Sequence, residues 1–390
     1  MSDKRSSTVL VAGGAIGNFA RSPLPLSDLA QPVVQAALNA TGLRTEDIQS
    51  CFVGNAFAGG IIGQESILAQ ILLTPLGLGG IPMRTVKNAC SSGSDAVHLA
   101  WSAVAYGQYD CVLVLGAEKL THEEKSRAFT ALASATDHPA VAGGRSVFMD
   151  VNAARALRYM ECYGAEVKHF AAVAAKNRLN GSLNERAAER TPISTEAILA
   201  DRIVVAPLTR SMCSGIVDGA ACLILMSPAF AARRGVSATS QLVGSVSVSG
   251  VPSGSRQGNA THRAARAAYE QAGIDPSDVS LAEVHDPTAP QELLDIEDLM
   301  LCARGEGVRL VEECATSLTG RIPVNASGGL LSRGHPVGAT GVAQILEIHE
   351  QLLGRAGRRQ LKNPTVGVAQ MAGGLLGNDS AIATVHLLQV

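Results

Sequence analysis

Two short segments hold residues whose type and setting suit covalent chemistry. Cys90 stands in Asn88-Ala-Cys-Ser-Ser-Gly-Ser-Asp95, directly before Ala96 to Ala105, a stretch apolar nearly all round that reads as a buried helix. A thiol at a helix start meets unpaired backbone N–H groups and the positive end of the helix dipole, which lower its pKa and make it a nucleophile fit for a thioester. His335 lies in Gly328-Gly-Leu-Leu-Ser-Arg-Gly-His-Pro-Val-Gly-Ala-Thr-Gly341, where glycines permit close backbone approach and Pro336 fixes the turn. An imidazole held so rigidly suits an N–H donor to an oxygen that gains charge during acyl transfer.

The remaining thiols and imidazoles serve as controls. Of eight cysteines, Cys51, Cys111 and Cys222 fall in or beside strand-like apolar runs and read as core, while Cys162, Cys213, Cys302 and Cys314 have no partner pattern. No CxxC or close Cys/His spacing occurs, so neither a metal site nor a disulfide scaffold is expected. Reduced thiols in a cytoplasmic protein are the natural reading. His98 on the buried helix and His349 on the last long helix read as core or surface histidines.

The elements that must hold Cys90 and His335 occur twice. Val33 to Asn55 and Ala264 to Asp286 each run from an Ala-rich helical stretch to a glycine (Gly42, Gly273), an acidic turn (Asp47, Asp278) and a short strand-like run. Arg84 to Cys90 (RTVKNAC) and Arg321 to Ser327 (RIPVNAS) then correspond, each leading into a helix and a β-rich close. The pattern is an α/β fold of two duplicated halves, 1–240 and 241–390. The first half includes an insertion at about 117–210, placed to cover the scaffold's face, with Asn152 to Arg178 its clearest helix-forming part. At the start, Thr8-Val-Leu-Val-Ala12 reads as a first strand ending in a turn at Gly13-Gly14.

Composition removes other classes. Charged residues make up 17% and hydrophobic ones 46%, so much surface must be hidden in a thick core or a subunit interface. A net charge of −2 with no basic run leaves no field for nucleic acid. The longest apolar region, Ile67 to Ile81, is broken by Gln70, Thr74, Pro75 and three glycines, so no membrane span is expected. Gly13-Gly-Ala-Ile-Gly17 lacks dinucleotide-binding spacing, and the first acid after it is Asp28.

Together these segments resemble the thiolase superfamily along nearly the whole chain. Asn325-Ala-Ser-Gly-Gly329 and Gly334-His-Pro-Val-Gly-Ala-Thr-Gly341 match its signatures, and Val284-His-Asp286 resembles the branch typified by the thiolase domain of sterol carrier protein X. The resemblance implies a five-layered α-β-α-β-α fold, a homodimer or higher homo-oligomer, and acyl-CoA as substrate with no permanently bound cofactor. It implies that Cys90 takes the acyl group, that His335 and His285 bind oxygen, and that Asn325, Gly373 and Gly374 lie on active-site loops. Related thiolases also work with a small oligonucleotide/oligosaccharide-fold partner protein.

One departure stands out. The family's second cysteine moves protons, and it follows His-Asp in this branch or sits in a C-terminal Cys-x-Gly in others. Here those places hold Pro287 and Met371, neither a proton carrier. The expected activity is therefore acyl transfer from CoA through Cys90 to a carbon or other nucleophile, with weak thiolysis. The alternatives are a (retro-)aldolase acting on a β-hydroxyacyl-CoA, which needs no covalent sulfur, and a non-catalytic subunit that positions a partner.

Overall fold

The structure is a computed structural model that describes residues 8–137 and 146–390. Its strands in chain order are β1 (Leu10–Ile16), β2 (Ser50–Gly54), β3 (Met83–Val86), β4 (Cys111–Glu118), β5 (Ile203–Val205), β6 (Leu208–Thr209), β7 (Gly219–Met226), β8 (Ser240–Ser249), β9 (Leu281–Glu283), β10 (Val366–Gly373) and β11 (Ile382–Gln389). Nine of them form one continuous mixed sheet in the order β3-β2-β4-β7-β1-β8-β11-β10-β9, and β5 pairs with β6 apart from it. The join is the antiparallel contact of β1 with β8, Leu10 opposite Gln241.

The two sides of that join repeat one topology. On one side β2 runs parallel to β4, β4 antiparallel to β7, and β7 antiparallel to β1. On the other, β9 runs parallel to β10, β10 antiparallel to β11, and β11 antiparallel to β8. Even β3 has a remnant counterpart, the parallel bridge of Val324 to Ala282. The helices Leu26–Thr41 and Ala260–Ala272 end at Gly42 and Gly273 with φ of 68° and 66°, the left-handed cap that glycine favours.

Between the two sides lie the helices Ser92–Ala105 and Val337–Leu352, which pack on each other and on strands of both repeats, while Leu26–Thr41 and Ala260–Ala272 cover the outer faces. Glycines make this packing close. A methyl group on Gly338 would lie 2.6 Å from the Gly54 carbonyl oxygen and 2.7 Å from that of Ala117, so the loop after His335 can reach the strand ends only without a side chain there.

Two local expectations change. β1 continues through Gly13 and Gly14, with a bulge between Val11 and Gly13, because a side chain on Gly14 would meet the Cys222 carbonyl oxygen at 2.1 Å. The glycines serve close strand approach rather than a turn. The helix-forming stretch from Asn152 to Arg178 is two helices, Val147–Tyr163 and Val167–Ser182, divided at Gly164 with φ 68°. Residues 138–145 of the insertion lie outside the described residues.

Candidate active site

Cys90 reaches the cavity on a tight loop in which Ala89 holds φ 48°. Ser92 Oγ accepts from the Asn88 N–H at 2.9 Å and donates to the Ala89 carbonyl at 2.7 Å, pinning the loop two residues ahead of the helix body. His285 comes from the end of β9, where its N–H donates to Gln370 Oε1 at 2.9 Å. His335 comes from the turn before the helix Val337–Leu352. The carboxylate of Asp286 ties these last two segments together, accepting from the Leu330 N–H at 2.7 Å and from Asn177 Nδ2 at 2.9 Å.

These three residues converge. Cys90 Sγ and one ring nitrogen from each histidine all lie within 4.8 Å of one another. The rings meet edge to face with centroids 5.3 Å apart, and Nε2 of each is buried without a protein partner. His335 Nδ1 lies 2.7 Å from Thr340 Oγ1, whose hydroxyl donates to the Pro336 carbonyl at 3.0 Å. With that proton committed, Nδ1 carries the ring hydrogen and Nε2 presents its lone pair to the sulfur. The resting imidazole is thus a proton acceptor, and it becomes the N–H donor expected from the sequence once it has taken a proton. A cysteine with two neutral imidazoles also matches the donor set of a soft divalent cation such as zinc.

The electrostatics reverse one expectation. Burial first, then the Glu118 carboxylate, push the Cys90 thiol up to about 12, and hydrogen bonds from the Gly374 and Cys90 amides only partly offset this. The helix start does not make a resting thiolate, because the surrounding protein removes more solvation than the amides return. Burial lowers His285 to about 3, with Arg155 adding to the effect, and lowers His335 well below the usual histidine range. Both rings are therefore neutral at physiological pH.

Glu118 couples the two halves of the site. Its buried carboxylate accepts from Asn55 Nδ2 and the N–H groups of Ala56, Phe57 and Gly338, so one side chain at the end of β4 braces the turn after β2 and the loop that follows His335. Burial raises its pKa to about 7.

The cavity measures about 380 Å³. Cys90, His285, His335, Pro287 and Gly374 line it, together with Phe129, Phe148 and Met149 of the insertion. Exposed Arg21 and Arg202, with half-buried Arg210, place positive charge along its wall.

Both halves of the chain match thiolase family models, the thiolase N-terminal domain over residues 9–205 and the thiolase C-terminal domain-like family over 250–385. The chain belongs to the thiolase superfamily. It is 37% identical to an acetyl-CoA acetyltransferase of Methanothermobacter thermautotrophicus over 90% of this chain and 91% of that one. It is 34% identical to the benzoylsuccinyl-CoA thiolase subunit BbsB of Thauera aromatica, over 94% of each. Sterol carrier protein 2 of Rattus norvegicus is 32% identical over 92% of this chain and 67% of its own length. Among solved structures, the Ltp2–ChsH2(DUF35) aldolase matches with a TM-score of 0.81 and 22% identity, covering 100% of this chain and 99% of that one. The acetyl-CoA acetyltransferase of Syntrophomonas wolfei matches at 0.71 and 22%, over 98% and 99%. The protein is an acyltransferase of the thiolase superfamily.

Against this thiolase frame, some expected residues are placed elsewhere. Asn325 does not line the cavity. It is wholly buried with φ 56°, accepts from the Val284 N–H at 2.9 Å and donates to Glu292 at 2.8 Å, so it supports the strand end that carries His285. Gly373 likewise packs rather than lines, since a methyl group there would meet the Asn88 carbonyl oxygen at 2.4 Å. Met371 is buried in β10 away from the cavity, and the β10 residue that faces it is Ala372. The alternating strand pleat puts neighbours on opposite faces, so the residue facing the site is the one two before Gly374. Ala372 cannot carry a proton either. Asp286 and Thr288 do not line the cavity, and Thr288 Oγ1 donates to Asn152 at 3.2 Å.

Three residues escaped the sequence reading. Cys213 is buried and lines the cavity, with Sγ 3.4 Å from the Thr209 carbonyl oxygen. Glu118 closes β4 with no motif around it. Arg155 lies in the insertion, where no repeat guides the eye.

Proposed function

We propose that this thiolase transfers acyl groups from CoA thioesters through a covalent intermediate on Cys90. The observation that supports this most is the convergence of the Cys90 sulfur with a ring nitrogen of each of two neutral histidines whose Nε2 atoms are buried without a partner. His335 Nε2 takes the thiol proton as the sulfur attacks the thioester carbon. The C–S bond to CoA then breaks, and the departing CoA sulfur receives that proton from His335. Charge on the carbonyl oxygen is met by N–H donors of the site, the Gly374 amide among them, which act where charge develops. Thr340 keeps the proton on Nδ1 so that the cycle begins with a base. Arg21, Arg202 and Arg210 receive the CoA phosphates at the mouth.

Acceptance of the acyl group by a carbanion needs a further proton carrier at the substrate carbon, a role worth about two to four orders of magnitude in rate. Pro287 and Ala372 supply none, so ordinary thiolysis is weak and the acceptor needs little activation. Intact-protein mass spectrometry with a panel of acyl-CoAs tests the reading. A stable mass gain at Cys90 is expected, with slow CoA-dependent loss of acetoacetyl-CoA. Absence of any adduct, or labelling of Cys213 instead, would sink it.

The missing proton carriers also support a second reading, a (retro-)aldolase that cleaves a β-hydroxyacyl-CoA without acylating sulfur. It predicts release of an aldehyde or ketone that persists in Cys90→Ser. A third, a non-catalytic subunit, predicts activity only when a small oligonucleotide/oligosaccharide-fold protein is added. For assembly we infer a homodimer in the cytoplasm, checked by light scattering; no helix among the described residues is long and apolar enough to cross a membrane.

A further inference from the structure

In the same cavity as the reactive trio stands a guanidinium that makes no ion pair among the described residues. Arg155, on the helix Val147–Tyr163, lines the same cavity as Cys90, His285 and His335, and forms part of the wall of a second cavity of about 270 Å³. Among the described residues its one hydrogen bond runs from Nη1 to Gln291 Oε1 at 3.4 Å, and it makes no ion pair. An arginine offers five N–H donors in a planar fork. Most of that capacity is unused.

Of the three acids whose fields reach Arg155, Asp298 and Asp379 are committed elsewhere, while Asp295 keeps one buried oxygen without a partner. Asp298 pairs with Arg304 and accepts from Asn259 Nδ2 at 2.7 Å. Asp379 pairs with Arg263 at 3.2 Å and accepts from the Val251 and Ala260 N–H groups. Asp295 accepts from Gln291 Nε2 at 2.9 Å, and burial raises its pKa well above the carboxylate range. Gln291 is thereby held with its carbonyl toward Arg155 and its amide toward Asp295, which fixes the cation on the cavity wall. Burial also lowers the arginine's own pKa, by more than the fields of Asp295, Asp298 and Asp379 restore. A desolvated cation of this kind is costly until an anion completes it.

We propose that Arg155 binds a carboxylate carried on the acyl group, so that the preferred substrates are CoA thioesters of dicarboxylic acids. The inference rests on the acyl-CoA reading of the site. With the thioester carbonyl beside Cys90, the far end of the acyl chain meets Arg155, and the planar fork receives both carboxylate oxygens. The phosphates of CoA are the other anions that could reach a cation here, and Arg21, Arg202 and Arg210 on the same cavity wall are also open to them.

Calorimetric titration of Cys90→Ala protein separates these, since binding is then read without chemistry. Succinyl-CoA and glutaryl-CoA are compared with butyryl-CoA, valeryl-CoA and free CoA. Charge-assisted hydrogen bonds of this kind support a preference of about tenfold to a hundredfold for the dicarboxylic thioesters. Adding Arg155→Met should erase that preference while leaving butyryl-CoA and free CoA within about twofold, and Arg155→Lys should restore part of it. Equal binding of charged and neutral thioesters overturns the proposal and leaves acyl transfer intact. An Arg155→Met loss shared equally with free CoA assigns the cation to phosphate and also overturns it. If free CoA and every thioester fail to bind, the acyl-CoA reading itself falls. The comparison among ligands needs no change at Arg155, so it stands even if that variant does not fold.

Discussion

The loop at Asn88-Ala-Cys90 and its repeat at Asn325-Ala-Ser327 share a sequence pattern and a place in the topology, yet one presents a reactive atom and the other buries its counterpart. Ser327 Oγ donates to Glu283 Oε2 at 2.6 Å, its N–H donates to Glu283 Oε1 at 2.9 Å, and Arg333 donates to the same hydroxyl at 3.1 Å. In the first repeat the residue matching Glu283 is Phe52, which offers no acceptor. Cys90 is left to the cavity and to the imidazoles of the second repeat. The matching of Gly54 with His285 points the same way: one copy removes a side chain where the other places an imidazole in the cavity. The residue on the adjoining strand thus decides which of the two loops leaves its side chain free to face the cavity.

The comparison breaks most sharply at the sulfur. Cys90→Ala should abolish acyl-enzyme formation by mass spectrometry while leaving the urea midpoint nearly unchanged, because the sulfur lines a cavity in which water can replace it as acceptor for the Gly374 and Cys90 amides. Persistent labelling in that variant would remove the distinction between the two loops. His335→Ala should slow single-turnover acylation by about a hundredfold to ten-thousandfold with little change in CoA affinity, as for a lost general base. An unchanged rate would return His335 to a structural role.

Ser327→Ala should do the reverse of Cys90→Ala. It strips a hydrogen bond from a buried carboxylate and should cost about 1–3 kcal/mol in urea denaturation, with acylation per folded molecule preserved. The smallest expected effect is a flat pH profile. The Cys90 thiol is raised to about 12, whereas His285 is lowered to about 3 and His335 also falls. Lowered histidine values keep the base neutral throughout, and the raised thiol stays protonated until it is attacked by that base. Acylation measured in stopped flow between about pH 8 and 10, above the value of about 7 to which burial lifts Glu118, should therefore vary by less than about twofold. A tenfold rise per pH unit would mean a free thiolate reacts without His335.

Much of this site is written locally. Glycine and proline around His335, the Asn-Ala-Cys turn and the repeated helix-glycine-strand units are short-range patterns, and each dictates its own backbone geometry. So Cys90 and His335 could be singled out from the chain alone, together with the α/β duplication, while His285 could be named only through the resemblance carried by Val284-His-Asp286. The sequence could not show that burial outweighs the helix start at Cys90, because desolvation is set by every atom packed around the sulfur. Nor could it show that Asn325 turns its amide into the scaffold, or that Ala372 rather than Met371 faces the cavity, since these depend on the pleat of β10 and on partners up to 41 residues away, as between Asn325 and Val284. The role of Arg155 lay furthest from view. Its significance comes from what does not pair with it, and only three-dimensional neighbours can show that Asp298 and Asp379 already belong to other cations.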